Sequence, residues 1–135
     1  MKGFVDNIER LTEENEYFRH VIYTGPKSQL VLMTLKPGED IGEETHADLD
    51  QFICIEEGEA KVVFDQKNEH VLRAGGGVVV PAGTTHNVIN NLKTKNLKLY
   101  TVYSKSHHPD GEVQKTKEEA EMAEPRPFRP VERPW

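Results

Sequence analysis

The chain of 135 residues contains a single cysteine, so no intramolecular disulfide is available and stability has to come from packing. That residue, Cys54, lies in the apolar run QFICI and reads as a small hydrophobe in a strand rather than as a nucleophile. Long apolar runs are also missing. No stretch reaches membrane-spanning length, and the opening MKGFVDNIERLTEEN lacks the apolar core of a secretory signal, so a soluble cytoplasmic protein is expected. Positive charge is in the minority: 17 Lys and Arg stand against 23 Asp and Glu, a net charge of −6 at pH 7, with no basic cluster against that background. Neither a nucleic-acid backbone nor a membrane is an expected partner. The length suits one domain that can bury a core, with no room for a second catalytic domain, and no internal repeat is present.

What the chain does contain is a series of short apolar runs between turn signals: HVIYT, QLVLMTL, QFICI, KVVFD, GVVVP, HNVIN and LKLYTVY. They are rich in Val, Ile, Tyr and Phe, and Pro37-Gly38, Glu57-Gly58, Gly75-Gly76-Gly77 and Pro81-Ala82-Gly83 separate several of them. Closely spaced strands without helical patterning between them predict an all-β barrel or sandwich.

Both ends differ from this middle. IERLTEENEYF fits either a short helix or an irregular lead into the first strand. TKEEAEMAE is built of strong helix formers, with Thr116 placed as N-cap and Glu119 three residues on. The following PRPFRPVERPW is too rich in proline for a helix or central strand. It is expected either to run extended over the surface, with Phe128 and Trp135 docking on a neighbouring surface, or to be disordered.

Two windows carry the most specific signal. In the second, Gly75 is followed after five residues by Pro81, after one by Gly83, after two by His86 and after three by Asn90. In the first, Gly38 is followed after five residues by Glu44, after one by His46, after four by Gln51 and after six by Gly58. The chain thereby resembles the cupin superfamily, and in particular its small single-domain, type-2-like members. The second window matches the second cupin motif in full. The first keeps the spacing of the first motif but has Glu44, His46 and Gln51 where the family usually has His, His and Glu. The resemblance covers roughly residues 20 to 104. It implies a single-domain, jelly-roll-like β-barrel over 20–104, preceded by a lead segment at 1–19 and followed at 105–135 by a loop, a short helix and an extended Pro-rich tail.

The family's four metal-ligand positions map onto Glu44, His46, Gln51 and His86. Residues two apart share a strand face, so Glu44 and His46 can both point inward, with Gln51 facing them at the start of its strand and His86 aimed by the Pro81–Gly83 turn. Three His and one Glu carry one negative charge, and so does this set, which leaves a divalent ion the same residual charge. A Gln carbonyl is a weak ligand. Without it, two His and one carboxylate suit non-haem Fe(II) and accept Mn, Ni or Zn, so the expected cofactor is a divalent transition ion of unspecified identity.

Other polar residues have two readings each. ADLD reads as a turn stabilised by local backbone bonds, or it places Asp48 or Asp50 at the pocket mouth as a proton acceptor or ligand-orienting partner. SHHPDGEV reads as a surface loop, or as one draped at the barrel mouth with His107 or His108 reaching inward. Tyr23, Tyr100 and Tyr103 read as packing residues. On the strand QFICI, Phe52 and Cys54 alternate with Gln51, Ile53 and Ile55 and should face outward. Outward apolar side chains in mid-barrel need cover, so a dimer interface or the chain's own tail is expected over them, and the pairing common among single-domain cupins implies a homodimer.

The resemblance implies a metal-dependent enzyme acting on a small oxygen-rich organic substrate by oxygenase, isomerase or lyase-type chemistry. The alternative is a non-catalytic module that binds a small molecule. Small cupins likened to mannose-6-phosphate isomerases also mix Gln, Glu and two His at their zinc site, but in a different order, and a phosphosugar would require basic residues that the sequence alone does not assign to the pocket.

Overall fold

The computed structural model describes residues 2–123, and the expected Pro-rich tail with Phe128 and Trp135 lies outside the described residues. Two short helices flank nine strands: α1 Ile8–Glu14, β1 Arg19–Thr24, β2 Gln29–Leu35, β3 Gln51–Glu57, β4 Glu59–Phe64, β5 Asn68–Arg73, β6 Gly77–Val80, β7 His86–Asn90, β8 Leu97–Tyr103, β9 Val113–Gln114 and α2 Lys117–Ala123. One antiparallel sheet has the order β6-β3-β8-β2-β1-β9 and the other the order β5-β4-β7. Their inner faces share one core, as expected of an all-β jelly-roll-like barrel. Val31, Met33 and Leu35, then Ile53 and Ile55, then Leu97, Leu99 and Tyr103 contribute at intervals of two from the large sheet, and Ala60, Val62 and Val88 from the small one.

Every apolar run noted above becomes a strand. The chain passes from the large sheet to the small one at Gly58, between β3 and β4. Its φ is +93°, and a Cβ there would lie 2.7 Å from the Asn96 carbonyl oxygen, so only glycine fits this corner. β5 was not anticipated. It is an edge strand, NEHVLR, with nearly every residue exposed, and a strand that buries neither face has no apolar alternation to read.

The N-terminal segment forms a helix rather than an irregular lead. Asn7 caps α1 by accepting the Arg10 N–H at 2.9 Å, and Lys98 Nζ donates to the Glu13 and Asn15 carbonyls at 2.7 and 2.8 Å. At the other end, Thr116 Oγ1 accepts the Glu119 N–H at 3.1 Å, which starts α2 where the capping pattern placed it. β9 pairs with β1, Arg19 opposite Gln114, so the chain after the last long strand is hydrogen-bonded back onto the barrel.

Candidate metal centre

The connection between β2 and β3 carries the first motif, and it is drawn beside β7 by two isolated bridges, Asp40 with Ile89 and Glu44 with His86. Glu44 is thus set next to the histidine of the second motif by main-chain hydrogen bonds. The turn at Pro81–Gly83 is held from both sides. The Ala82 N–H donates to the Asp50 carboxylate at 2.9 Å, and the Gly83 N–H donates to the His46 carbonyl at 2.7 Å. Gly83 has a φ of +86°, which favours glycine at that step. Gln51 opens β3 on its inward face, opposite Tyr103 of β8 and Val80 of β6.

These supports bring Glu44 and His46 into one cluster, with Glu44 Oε2 3.6 Å from His46 Nε2. His86 and Gln51 form a second pair, Nε2 to Oε1 at 3.0 Å. The two halves meet where the His46 and His86 rings approach to 5.3 Å between centroids.

The His86–Gln51 pair is constrained further. His86 Nδ1 lies 2.9 Å from the Thr84 carbonyl oxygen, so both ring nitrogens face oxygens, although a neutral imidazole carries only one N–H. Rotating the Gln51 amide does not relieve this, because its Nε2 donates to Thr101 Oγ1 at 2.9 Å while Thr101 donates to the Phe52 carbonyl at 2.9 Å. A second proton or a metal ion at Nε2 removes the lone-pair clash.

His46 is 8% exposed, and its Nε2 is buried without a hydrogen-bond partner among the described residues. Burial pushes its pKa down to about 4, with the Glu44 charge acting in the opposite direction, so the ring is neutral at pH 7. Burial alone would raise the Glu44 carboxyl. Polar contact with His107 and the charge of Arg19 outweigh it and hold the group below the ordinary carboxylate value. A neutral imidazole beside an ionised carboxylate is the donor chemistry a divalent transition ion takes.

The SHH segment is not a plain surface loop. His107 lies against His46, with ring centroids 4.4 Å apart, and its Nε2 is 3.8 Å from Glu44 Oε2. The potential ligand atoms of Glu44, His46 and His107 all lie within 4.8 Å of one another. His108 is buried, its Nε2 3.4 Å from the Tyr103 hydroxyl. Buried Gln29 directs this loop: its Oε1 accepts the N–H groups of His107 and His108 at 3.0 and 2.9 Å, and its Nε2 donates to the His108 carbonyl at 2.8 Å. A glutamine on the inward side of an otherwise apolar strand was the available signal for this inward turn. Tyr103 packs in the core as expected, yet it also meets His46 edge-on at 5.8 Å.

Asp48 pairs with Lys105 on the exposed surface and takes no part in the pocket, whereas Asp50 acts through the turn it holds. A second carboxylate group, Glu9, Glu13 and Glu56, has two of its three members exposed. An open surface cleft of about 740 Å³, lined by residues including Glu57, Gly58, Arg73, Lys95 and Lys98, lies toward the end of β3 remote from Gln51 and contains none of Glu44, His46, Gln51 and His86.

Comparison with known proteins agrees with this fold. A family model described as a cupin domain matches residues 31–103. An uncharacterized protein of Acanthamoeba polyphaga mimivirus is 50% identical over 113 residues, covering 82% of this chain and 70% of that protein. YrkC, an uncharacterized protein of Bacillus subtilis, is 44% identical over 128 residues, covering 91% of this chain and 68% of that one. A crystal structure from Bacillus halodurans superposes with a TM-score of 0.86 at 39% identity, covering 90% of this chain and 95% of the other.

Proposed function

The chain belongs to the cupin family, and on that footing we propose that it is a metal-dependent enzyme acting on a small oxygen-rich organic substrate, by oxygenase, isomerase or lyase-type chemistry. The observation that carries this reading is the orphaned, buried Nε2 of His46 facing the ionised carboxylate of Glu44. Glu44, His46 and His86 would hold a divalent Zn, Fe, Mn or Ni ion, with Gln51 as a weaker fourth group and His107 in reach of the same space. When bound, such an ion supplies Lewis acidity toward a substrate oxygen.

The surrounding residues have separable tasks. The Thr84 carbonyl orients the His86 ring, and Thr101 orients the Gln51 amide. Ile53, Ile55 and Val88, all buried, close the interior beside these groups with apolar surface. Such an apolar surround favours a compact ligand with one polar end. The Glu44 and His107 side chains, each about a quarter exposed, lie at its solvent side.

Metal analysis of protein purified without a histidine tag tests the reading. Close to one transition ion per chain is expected, followed by turnover on a panel of small hydroxy and oxo acids, sugars and aromatic diols. Protein that holds no ion and takes up none of Zn, Fe, Mn or Ni overturns it, while tight ligand binding without turnover favours a non-catalytic binding module.

We also propose that the chain pairs as a homodimer through the outer face of β3 and works in the cytoplasm. No helix among the described residues is long and apolar enough to cross a membrane.

A further inference from the structure

His107 belongs to neither motif, yet it is the donor that comes nearest to Glu44 and His46 together: the ligand atoms of these three side chains all lie within 4.8 Å of one another. It sits in the connection from β8 to β9, residues 104–112. Its Nε2 is 3.8 Å from Glu44 Oε2, the same oxygen that lies 3.6 Å from His46 Nε2. One carboxylate oxygen thus faces two imidazole nitrogens. Both separations are longer than a hydrogen bond and shorter than two metal–ligand bonds of about 2.0–2.2 Å end to end, so a single ion can bond to each pair.

The position of His107 is built from the core outward. Gln29 is fully buried on β2, and its amide is anchored by donation from Nε2 to Thr24 Oγ1 at 2.9 Å. From there its Oε1 accepts the main-chain N–H of both His107 and His108, which fixes the backbone that presents the His107 ring. The ring is then set edge-on against His46, at 70°. Gln51, by contrast, has its amide held between Thr101 and His86. Imidazole nitrogen suits Zn, Fe and Ni, whereas a carbonyl oxygen is better suited to Mg, Ca and Mn.

We propose that His107 is the fourth protein ligand of the centre in place of Gln51, so that Glu44, His46, His86 and His107 hold the ion. The inference rests on the metal reading above and goes beyond it, because this ligand comes from outside both motifs. The bound ion then ties the β8–β9 connection to the barrel mouth, where the His107 side chain is 27% exposed.

Zinc chloride titrated into the full chain, purified without a histidine tag and stripped of metal by chelator, tests the assignment. Competition with a zinc-binding dye gives the affinity, and X-ray absorption at the zinc edge counts the bound imidazoles. Wild type should show three. His107→Ala and His107→Gln should each show two, with affinity lower by about tenfold or more, at least the loss that follows removal of an orienting partner. Gln51→Ala should keep three imidazoles and lose less affinity than either His107 variant. Melting curves of the metal-free variants confirm folding.

The assignment is overturned if wild type and His107→Ala show the same number of imidazoles, if a folded His107→Ala binds zinc as tightly as wild type does, or if Gln51→Ala loses more affinity than His107→Ala. Tight zinc binding by wild type with any of those results loses His107 and keeps the metal reading. Wild type that binds none of zinc, iron, manganese and nickel loses both.

Discussion

Glu44 and His86 are joined main chain to main chain: the N–H of each donates to the carbonyl of the other at 2.9 Å. They belong to different motifs, one in a long connection and one at the start of β7, and this reciprocal pair sets the main-chain spacing of two candidate ligands.

The four motif residues should therefore differ in how far metal retention depends on them. His86→Ala removes a nitrogen ligand while leaving the main-chain bridge in place, and metal content should fall severalfold. Gln51→Ala removes a weak carbonyl ligand and should leave most of the ion bound. Elemental analysis of both variants, with melting curves to confirm folding, decides the matter. Equal content in wild type and His86→Ala would remove His86 from the ligand set.

Acid should destabilise the metal-free protein. His46 has its pKa depressed from 6.5 to about 4 by burial, and buried His108 lies well below 6.5 for the same first reason. A histidine whose pKa is depressed in the fold leaves the unfolded chain binding more protons as pH falls, so stability is fully present above about 6.5 and lost below it. For His46 the loss accumulates between pH 6.5 and about 4 and is on the order of 3 kcal/mol at most. Denaturant melts in chelator across this range should show it, and His108→Gln should reduce it. A flat profile from pH 7 to 4 would contradict the burial argument.

Asp50 should matter through the turn it holds. Its carboxylate accepts the Ala82 N–H at the solvent-exposed Pro81–Gly83 turn, so Asp50→Ala should cost about 1 kcal/mol. Because that turn leads into His86, metal affinity should fall as well, while Asp48→Ala, which breaks only the exposed pair with Lys105, should alter neither. Matching behaviour of the two variants would argue against a positioning role for Asp50.

The outer face of β3 should be an interface. Phe52 is 37% exposed beside Tyr100 and opposite Val79, which is 66% exposed, and this apolar surface lies on the side of the sheet away from the core. Light scattering should give a dimer for wild type and a shift toward monomer for Phe52→Asp or Val79→Asp, with metal content unchanged. A wild-type monomer at micromolar concentration would exclude pairing through this face at that concentration.

The sequence by itself determined the seven apolar strands and the corner at Gly58. It also placed the cap of α2, because each depends on local chemistry: alternation, a positive φ, a side chain reaching three residues along. Only the tertiary structure decided that His107 meets His46 edge to face and that the SHH loop turns inward onto Gln29, residues far apart in the chain. It likewise decided that Asp50 rather than Asp48 holds the turn before His86, and that Arg19 lies buried beside Gln114 with no carboxylate of the described residues in ion-pair reach. Spacing encodes which residues can share a face, whereas the partner a side chain meets across the barrel, and whether its charge is matched there, follow from how the closed sheets bring distant segments together.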